Sequence, residues 1–119
     1  MRLKGLVTLK KRQEFARARL SGSAASSGGL LLQAVGYSHS SLDDGLIRVG
    51  FTVSRKSGNA VVRNKIKRKL RVAAEGVLPQ SADRGFCYVL VSSRRLSDVK
   101  LDRVQRSLTV CLKKLGLYL

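Results

Sequence analysis

Gly50-Phe51-Thr52-Val53-Ser54-Arg55-Lys56-Ser57-Gly58-Asn59-Ala60-Val61-Val62-Arg63-Asn64-Lys65-Ile66-Lys67-Arg68 joins two hydrophobic periodicities in one run. Its first part continues a strand. From Leu46 to Ser54, Ile47, Val49, Phe51 and Val53 point one way, and Arg48, Gly50 and Thr52 the other. That period of two gives one core face and one polar face. From Asn59 to Glu75 the period changes. Val62, Ile66, Leu70, Ala73 and Val77 follow at steps of four, four, three and four, the stripe of an amphipathic helix. Asn59 suits its N-cap. Gly76, with Pro79 just beyond, suits its end. The turn from Ser54 to Gly58 leaves room for a bend or a further short strand.

The helix is unusual in its charge. Between Gly45 and Ala74 there is no acidic residue, while Arg48, Arg55, Lys56, Arg63, Lys65, Lys67, Arg68, Lys69 and Arg71 are all cationic. Asn64, Arg68 and Arg71 lie opposite the apolar stripe. Arg63 and Lys67 flank them on one side, Lys65 and Lys69 on the other. Like charges three or four residues apart destabilise a helix by roughly 0.2–0.5 kcal/mol per pair. A solvated helix would mix in Glu, so an external anion is expected to neutralise this face. Arg grips phosphate bidentately or stacks on a base. Asn64 can donate and accept, which suits a base edge or a 2′-hydroxyl. Gly58 permits close approach, and the free amides of the first turn add an anion site.

Outward from this segment, Lys10 to Leu20 reads as a short helix with Phe15 as its one large anchor. Ser21 to Gly29 reads as a flexible connector. Leu30 to Tyr37 is a strand, and Ser38 to Gly45 a turn whose Asp44-Gly45 signals a hairpin into the next strand. Phe86 to Ser92 is a continuous apolar run suited to a buried strand. Ser97 is placed to cap a last helix, with Asp98 in its first turn. Leu101, Val104, Leu108, Cys111, Leu112 and Leu115 form its stripe, and Gly116 closes it. The order is α-β-β-α-β-α, possible extra strand aside. That predicts an α+β fold, a two-layer α/β sandwich in a single domain over residues 1–119.

The bulk properties agree with the segment. There are 24 Lys and Arg against 7 Asp and Glu, a formal net charge of +17. Such a domain repels itself and suits a polyanion, nucleic acid first. No run is apolar enough for a membrane span or a signal peptide, so a cytoplasmic protein is expected. Cys87 and Cys111 read as two small buried hydrophobes, as a reducing compartment would allow.

The run from Gly50 to Arg68 resembles the signature of the protein subunit of bacterial ribonuclease P: a strand ending Val-Ser-basic-basic, then Gly-Asn-Ala-Val, then an Arg-Asn-basic helix continuing Lys-Arg. Lys10-Lys11-Arg12-Gln13-Glu14-Phe15 is similar to that family's first helix, and chain length and element order fit from end to end. The resemblance implies a left-handed β-α-β crossover around the basic helix, as in the second domain of ribosomal protein S5, against the usual right-handed rule. It implies a partner RNA subunit that cleaves precursor tRNA, with magnesium bound chiefly by that RNA and none tightly by the protein. A monomer in a complex of one protein with one RNA is implied. The contacts to the catalytic RNA would be Arg55, Lys56, Asn59, Arg63, Asn64, Lys65, Lys67, Arg68, Lys69 and Arg71. The cleft for the single-stranded 5′ leader of the precursor would hold Phe15, Arg19, Gln33 and Tyr37. Phe15 has two readings, a ring stacked on a base and a core anchor. Three positions depart from the family's habit. Lys65 stands where a second Arg is commoner, and Arg19 and Gln33 stand where aromatics are frequent. Leader contacts are therefore expected to be more polar than stacked.

Nothing marks the chain itself as the catalyst, so no catalytic residue is assigned to it. His39 is the only histidine and lies in a Ser-rich turn. General acid–base cleavage needs two placed titrating groups. Asp43 and Asp44 read as turn chemistry. No Walker loop or zinc-ligand spacing occurs. The competing readings are a structural RNA binder of ribosomal type and an architectural DNA binder. The lack of a helix-turn-helix counts against the second.

Overall fold

The computed structural model describes residues 6–9, 11–36, 47–84, 86–92 and 94–119, the side chains of 94 and 95 excepted. In chain order the regular elements are β1 (Leu6–Thr8), α1 (Arg12–Ser21), β2 (Ser23–Ser27), β3 (Leu30–Gly36), β4 (Ile47–Val53), α2 (Ala60–Ser81), β5 (Phe86–Ser92) and α3 (Leu101–Lys114). The strands form one sheet in the order β1-β4-β5-β3-β2. β5 is parallel to β4 and antiparallel to β3, and α2 makes the crossover from β4 to β5.

Alternation divides the sheet residues between two faces. Leu30, Leu32, Ala34, Ile47, Val49, Tyr88 and Leu90 meet Ile66, Leu70, Ala73, Ala74, Val77 and Leu78 of α2 and Val104, Leu108, Cys111 and Leu112 of α3 in the main core. On the other face, α1 covers a smaller cluster of Leu9, Ala18, Val35, Cys87 and Val89, with Phe15 and Val91 at its edge. The α+β sandwich stands, but α1 forms a partial layer of its own behind the sheet. Cys87 and Cys111 are not joined in a disulfide; both are buried, in different clusters. Burial pushes the Cys111 thiol up.

Several sequence expectations need correction. The Ser21–Gly29 connector is mostly strand: Ser23–Ser27 pairs antiparallel with Leu30–Ala34. Gly28 and Gly29 join them with φ of 56° and 89°. A two-residue hairpin turn with both central residues at positive φ favours glycine at both positions. Asp44-Gly45 does not mark a hairpin between neighbours, because β5 lies between β3 and β4. The physical reason is the composition of β5, whose apolar side chains alternate onto both faces and need cover on both. The turn itself, with Tyr37, His39, Asp43 and Asp44, lies outside the described residues. Besides β2, a second additional strand is β1, parallel to β4 at the sheet edge, whereas Ser54–Gly58 holds a 3₁₀ turn.

α2 does not stop at Gly76 but runs to Ser81 through Pro79. Proline inside a helix costs about 3 kcal/mol. Val77 and Leu78 are 7% and 0% exposed, and full burial of each such side chain contributes roughly 1.5–3 kcal/mol, which favours continuation. Gly76 lies inside α2 rather than at its end, and a Cβ there would meet the movable end of the Gln105 side chain of α3. α3 begins at Leu101, not after a Ser97 cap. Arg94–Asp98 is a 3₁₀ turn, Lys100 occupies the N-cap position without a side-chain cap, and Asp102 is the acid of the first turn. The expected end of α3 is present. Gly116 has φ 73°. Leu117 N donates to Leu112 O at 2.9 Å and Gly116 N to Lys113 O at 3.1 Å, a Schellman closure.

The Tyr88 hydroxyl donates to the Asp83 carbonyl at 2.7 Å from a fully buried ring. Burial, helped by the Asp83 charge, pushes its pKa well above the usual tyrosine range. The unfolded phenol ionises near pH 10 while the folded one holds its proton, so the unfolded state binds fewer protons and stability falls as pH rises above about 10. Tyr88→Phe is expected to cost about 0.5–1.5 kcal/mol at neutral pH. Urea unfolding at pH 8, 10 and 11 should show the gap to wild type closing. A gap that widens with pH would contradict this role of the phenol.

Candidate nucleic-acid interface

The sequence between β4 and α2 sets a cationic helix end. The Ser54 hydroxyl accepts from Lys56 N at 3.1 Å and starts a 3₁₀ turn over Arg55–Ser57. Gly58 follows with φ 145°, and a Cβ there would lie 2.9 Å from Val62 Cβ, so the chain reverses onto α2 only with glycine. Asn59 Oδ1 accepts from Val62 N at 3.0 Å, the expected N-cap. The Asn59 side chain is thus engaged in capping. No acid occupies the first turn of α2.

The predicted stripe of α2 is buried at Ile66, Leu70, Ala73 and Val77, with Val62 packed at its margin. Arg55, Lys56, Asn59, Asn64, Lys65, Lys67 and Arg68 are exposed, and Arg63 and Arg71 are half-buried. Val53, Ala60, Arg63, Asn64 and Lys67 line a depression of about 230 Å³ where β4 passes into α2. Arg63 Nε is buried with no hydrogen-bond partner. A desolvated guanidinium donor beside a polar depression suits an anionic oxygen.

Lys69 departs from the expected arc. Its ammonium donates to the carbonyls of Leu96, Ser97 and Val99 at 3.0, 3.0 and 2.6 Å. Burial, then the Lys65 charge, lower its pKa, and Asp98 opposes them. Periodicity put Lys69 on the same edge as Lys65. No pattern within α2 signals three carbonyls arriving from a distant turn.

On the opposite side of the sheet, α1 stands over part of the face. The Phe15 ring lies on Gly50: a Cβ on Gly50 would come 2.7 Å from ring Cζ and 3.2 Å from Leu9 Cδ1. Arg17 Nη2 donates to the Gly36 carbonyl at 2.6 Å and ties α1 to the end of β3. Phe15 is half-buried, so one part of the ring is anchored and another remains accessible. Arg19, one turn on, is exposed. Gln33 is half-buried and pairs across to Val89 on the same face. Phe15, Arg19 and Gln33 therefore share this side of the molecule. Beyond α1 the sheet is open toward the β2–β3 turn, where Ser26, Ser27, Gly28, Gly29, Leu30, Leu31, Val91 and Ser92 line a shallow hollow of about 560 Å³.

Sequence reading missed Gly50, Arg17, Leu31 and Val91 as parts of this groove. A signal existed for Gly50: glycine inside an otherwise good strand marks the close approach of another group. Gly50→Val is expected to push the Phe15 ring off the sheet and to destabilise by about 1–3 kcal/mol. Phe15→Ala in the same background should recover part of that loss. A double variant no more stable than Gly50→Val in urea would rule out the ring as the obstacle.

Among the described residues, no three of His, Cys, Asp and Glu come together as a metal site, and no helix is long and apolar enough to cross a membrane.

The family model described as Ribonuclease P matches residues 3–116, across both surfaces. The chain belongs to the ribonuclease P protein family. Its role is that of the protein component of ribonuclease P. It is 37% identical over 108 residues to the ribonuclease P protein component of Paramagnetospirillum magneticum, covering 91% of this chain and 81% of that one. With the component from Ruegeria pomeroyi it shares 41% over 112 residues, covering 87% and 85%. The solved ribonuclease P protein of Staphylococcus aureus superposes with a TM-score of 0.75 at 26% identity, over 94% of this chain and 97% of that one.

Proposed function

We propose that the cationic arc of α2 docks on the catalytic RNA subunit of ribonuclease P, and that the cleft between α1 and the sheet takes the single-stranded 5′ leader of precursor tRNA. The catalytic groups and the magnesium they use belong, on this reading, to the RNA. The observation that carries it is an α2 whose outer arc bears no acid before Glu75, together with the unpartnered Arg63 Nε beside the depression at its start. The cleft reading rests on Phe15, a partly buried ring fixed over Gly50, with Gln33 and Arg19 on the same side.

In this division of labour the chain performs no bond breaking. Arg68, Lys65 and Lys67 neutralise phosphates. The first turn of α2 offers free amides, and Phe15 offers one face for a leader base. Purified protein added to the RNA subunit should restore cleavage of precursor tRNA at magnesium concentrations where the RNA alone is slow. No gain over RNA alone overturns the proposal.

The two surfaces separate by mutation. Arg68→Ala should weaken RNA-subunit docking and reduce the salt slope by about 0.7–0.9. Phe15→Ala should leave docking intact and weaken precursor tRNA relative to mature tRNA. The loss of one base stack, about 1–3 kcal/mol, is roughly five- to 150-fold. Equal losses for precursor and mature tRNA from Phe15→Ala would remove the leader assignment.

A further inference from the structure

We infer that Lys69 is a positioning residue of the docking surface and not one of its RNA contacts: its ammonium clamps the turn between β5 and α3 against α2. The inference rests on the reading of α2 as the docking helix.

An ammonium has three N–H donors and no acceptor. At Lys69 three carbonyls take all three: Leu96 O, Ser97 O and Val99 O. No donor remains for a phosphate. Lys65, one helical turn earlier on the same edge, is exposed, whereas Lys69 is half-buried.

The three carbonyls belong to one short segment, residues 96–99. They lie at and just after the end of the 3₁₀ turn Arg94–Asp98. Leu96 O also accepts from Val99 N, a long bond at 3.4 Å. α3 then begins at Lys100 without a side-chain cap. A cation at the carbonyl end of a turn complements its dipole, so Lys69 caps this turn from another element. Leu96, 1% exposed, is seated in the main core beside it. The same turn touches both α2 and the Arg55–Ser57 turn. One side chain therefore sets the spacing of three segments on the cationic side. A surface ordered before binding loses less entropy when RNA docks.

The test compares Lys69→Met with Lys65→Met and Lys67→Met in the reconstituted ribonucleoprotein, measuring RNA-subunit affinity against salt. Lys65→Met and Lys67→Met should each lower the slope by about 0.7–0.9. Lys69→Met should keep the wild-type slope while affinity falls severalfold. In the free protein, amide exchange at Val99, Arg103 and Val104 should accelerate in Lys69→Met alone. A slope loss in Lys69→Met equal to that in Lys65→Met overturns the inference, and so does unchanged affinity. Should Lys69→Met fail to fold, amine labelling of the wild type decides. Lys69 should resist labelling with and without RNA, whereas Lys65 and Lys67 should become protected only on RNA binding. Free-state labelling of Lys69 as fast as Lys65 overturns it. If neither Lys65→Met nor Lys67→Met changes the slope, the docking reading itself fails and takes this inference with it.

Discussion

Raising monovalent salt from about 50 to 200 mM is expected to weaken the complex with the RNA subunit by roughly 300- to 1,000-fold. The range follows from the charges that remain presented. With Lys69 committed to carbonyls, Arg55, Lys56, Arg63, Lys65, Lys67, Arg68 and Arg71 form the arc. If about six phosphates are neutralised, log K falls against log salt with a slope of roughly −4 to −5. The arc carries no acid between Gly45 and Ala74 to offset this term. Filter binding over four salt concentrations measures the slope. A value near −1 would mean that the helix does not dock. The free protein feels the same charges differently. A net charge of +17 repels itself, so sulfate should raise its melting temperature by screening and by site binding.

Leu70→Ala should destabilise the protein by about 2–5 kcal/mol, more than any surface change considered above. Leu70 is fully buried in the α2 stripe that faces the sheet, in the same cluster as Ile66, Tyr88 and Leu108. A domain of this kind has roughly 5–15 kcal/mol in all, so the loss approaches unfolding at the lower end. Val72→Ala is the matched control on the same helix. Val72 is 46% exposed, and its substitution should stay within about 0.5 kcal/mol. Urea unfolding of the two variants with sulfate present measures the contrast. Equal midpoints would mean that the stripe is not the main support of α2. Excess RNA subunit should restore Leu70→Ala toward function to the extent that it binds the folded chain more tightly than the unfolded one.

The sequence was most legible where one local rule acted alone. The change of period between Phe51 and Val62 located β4 and the start of α2. Asn59 was found as a cap because the N-cap geometry needs only three neighbouring residues. The cationic arc was visible because helical phase is fixed by spacing. Legibility failed where two local rules competed, or where the partner came from far along the chain. Gly28-Gly29 reads as part of a flexible linker, and the pairing of Ser23–Ser27 with β3 made it a hairpin turn. Gly76 and Pro79 read as a stop, yet burial of Val77 and Leu78 carried α2 past them. Ser97 reads as a cap, but the carbonyls around it are held by Lys69.

By itself the sequence determined the three helices and the three longer strands, the buried stripe, the excess of cations and the family. These depend on neighbours within one or two turns, or on a count of charges. Only the tertiary structure decided that β5 separates β3 from β4, that Phe15 rests on Gly50, and that one lysine of the basic helix faces inward. Each of these is a contact between residues far apart in the chain. Their energies come from burial and from satisfying carbonyls, and neither leaves a periodic mark in either segment.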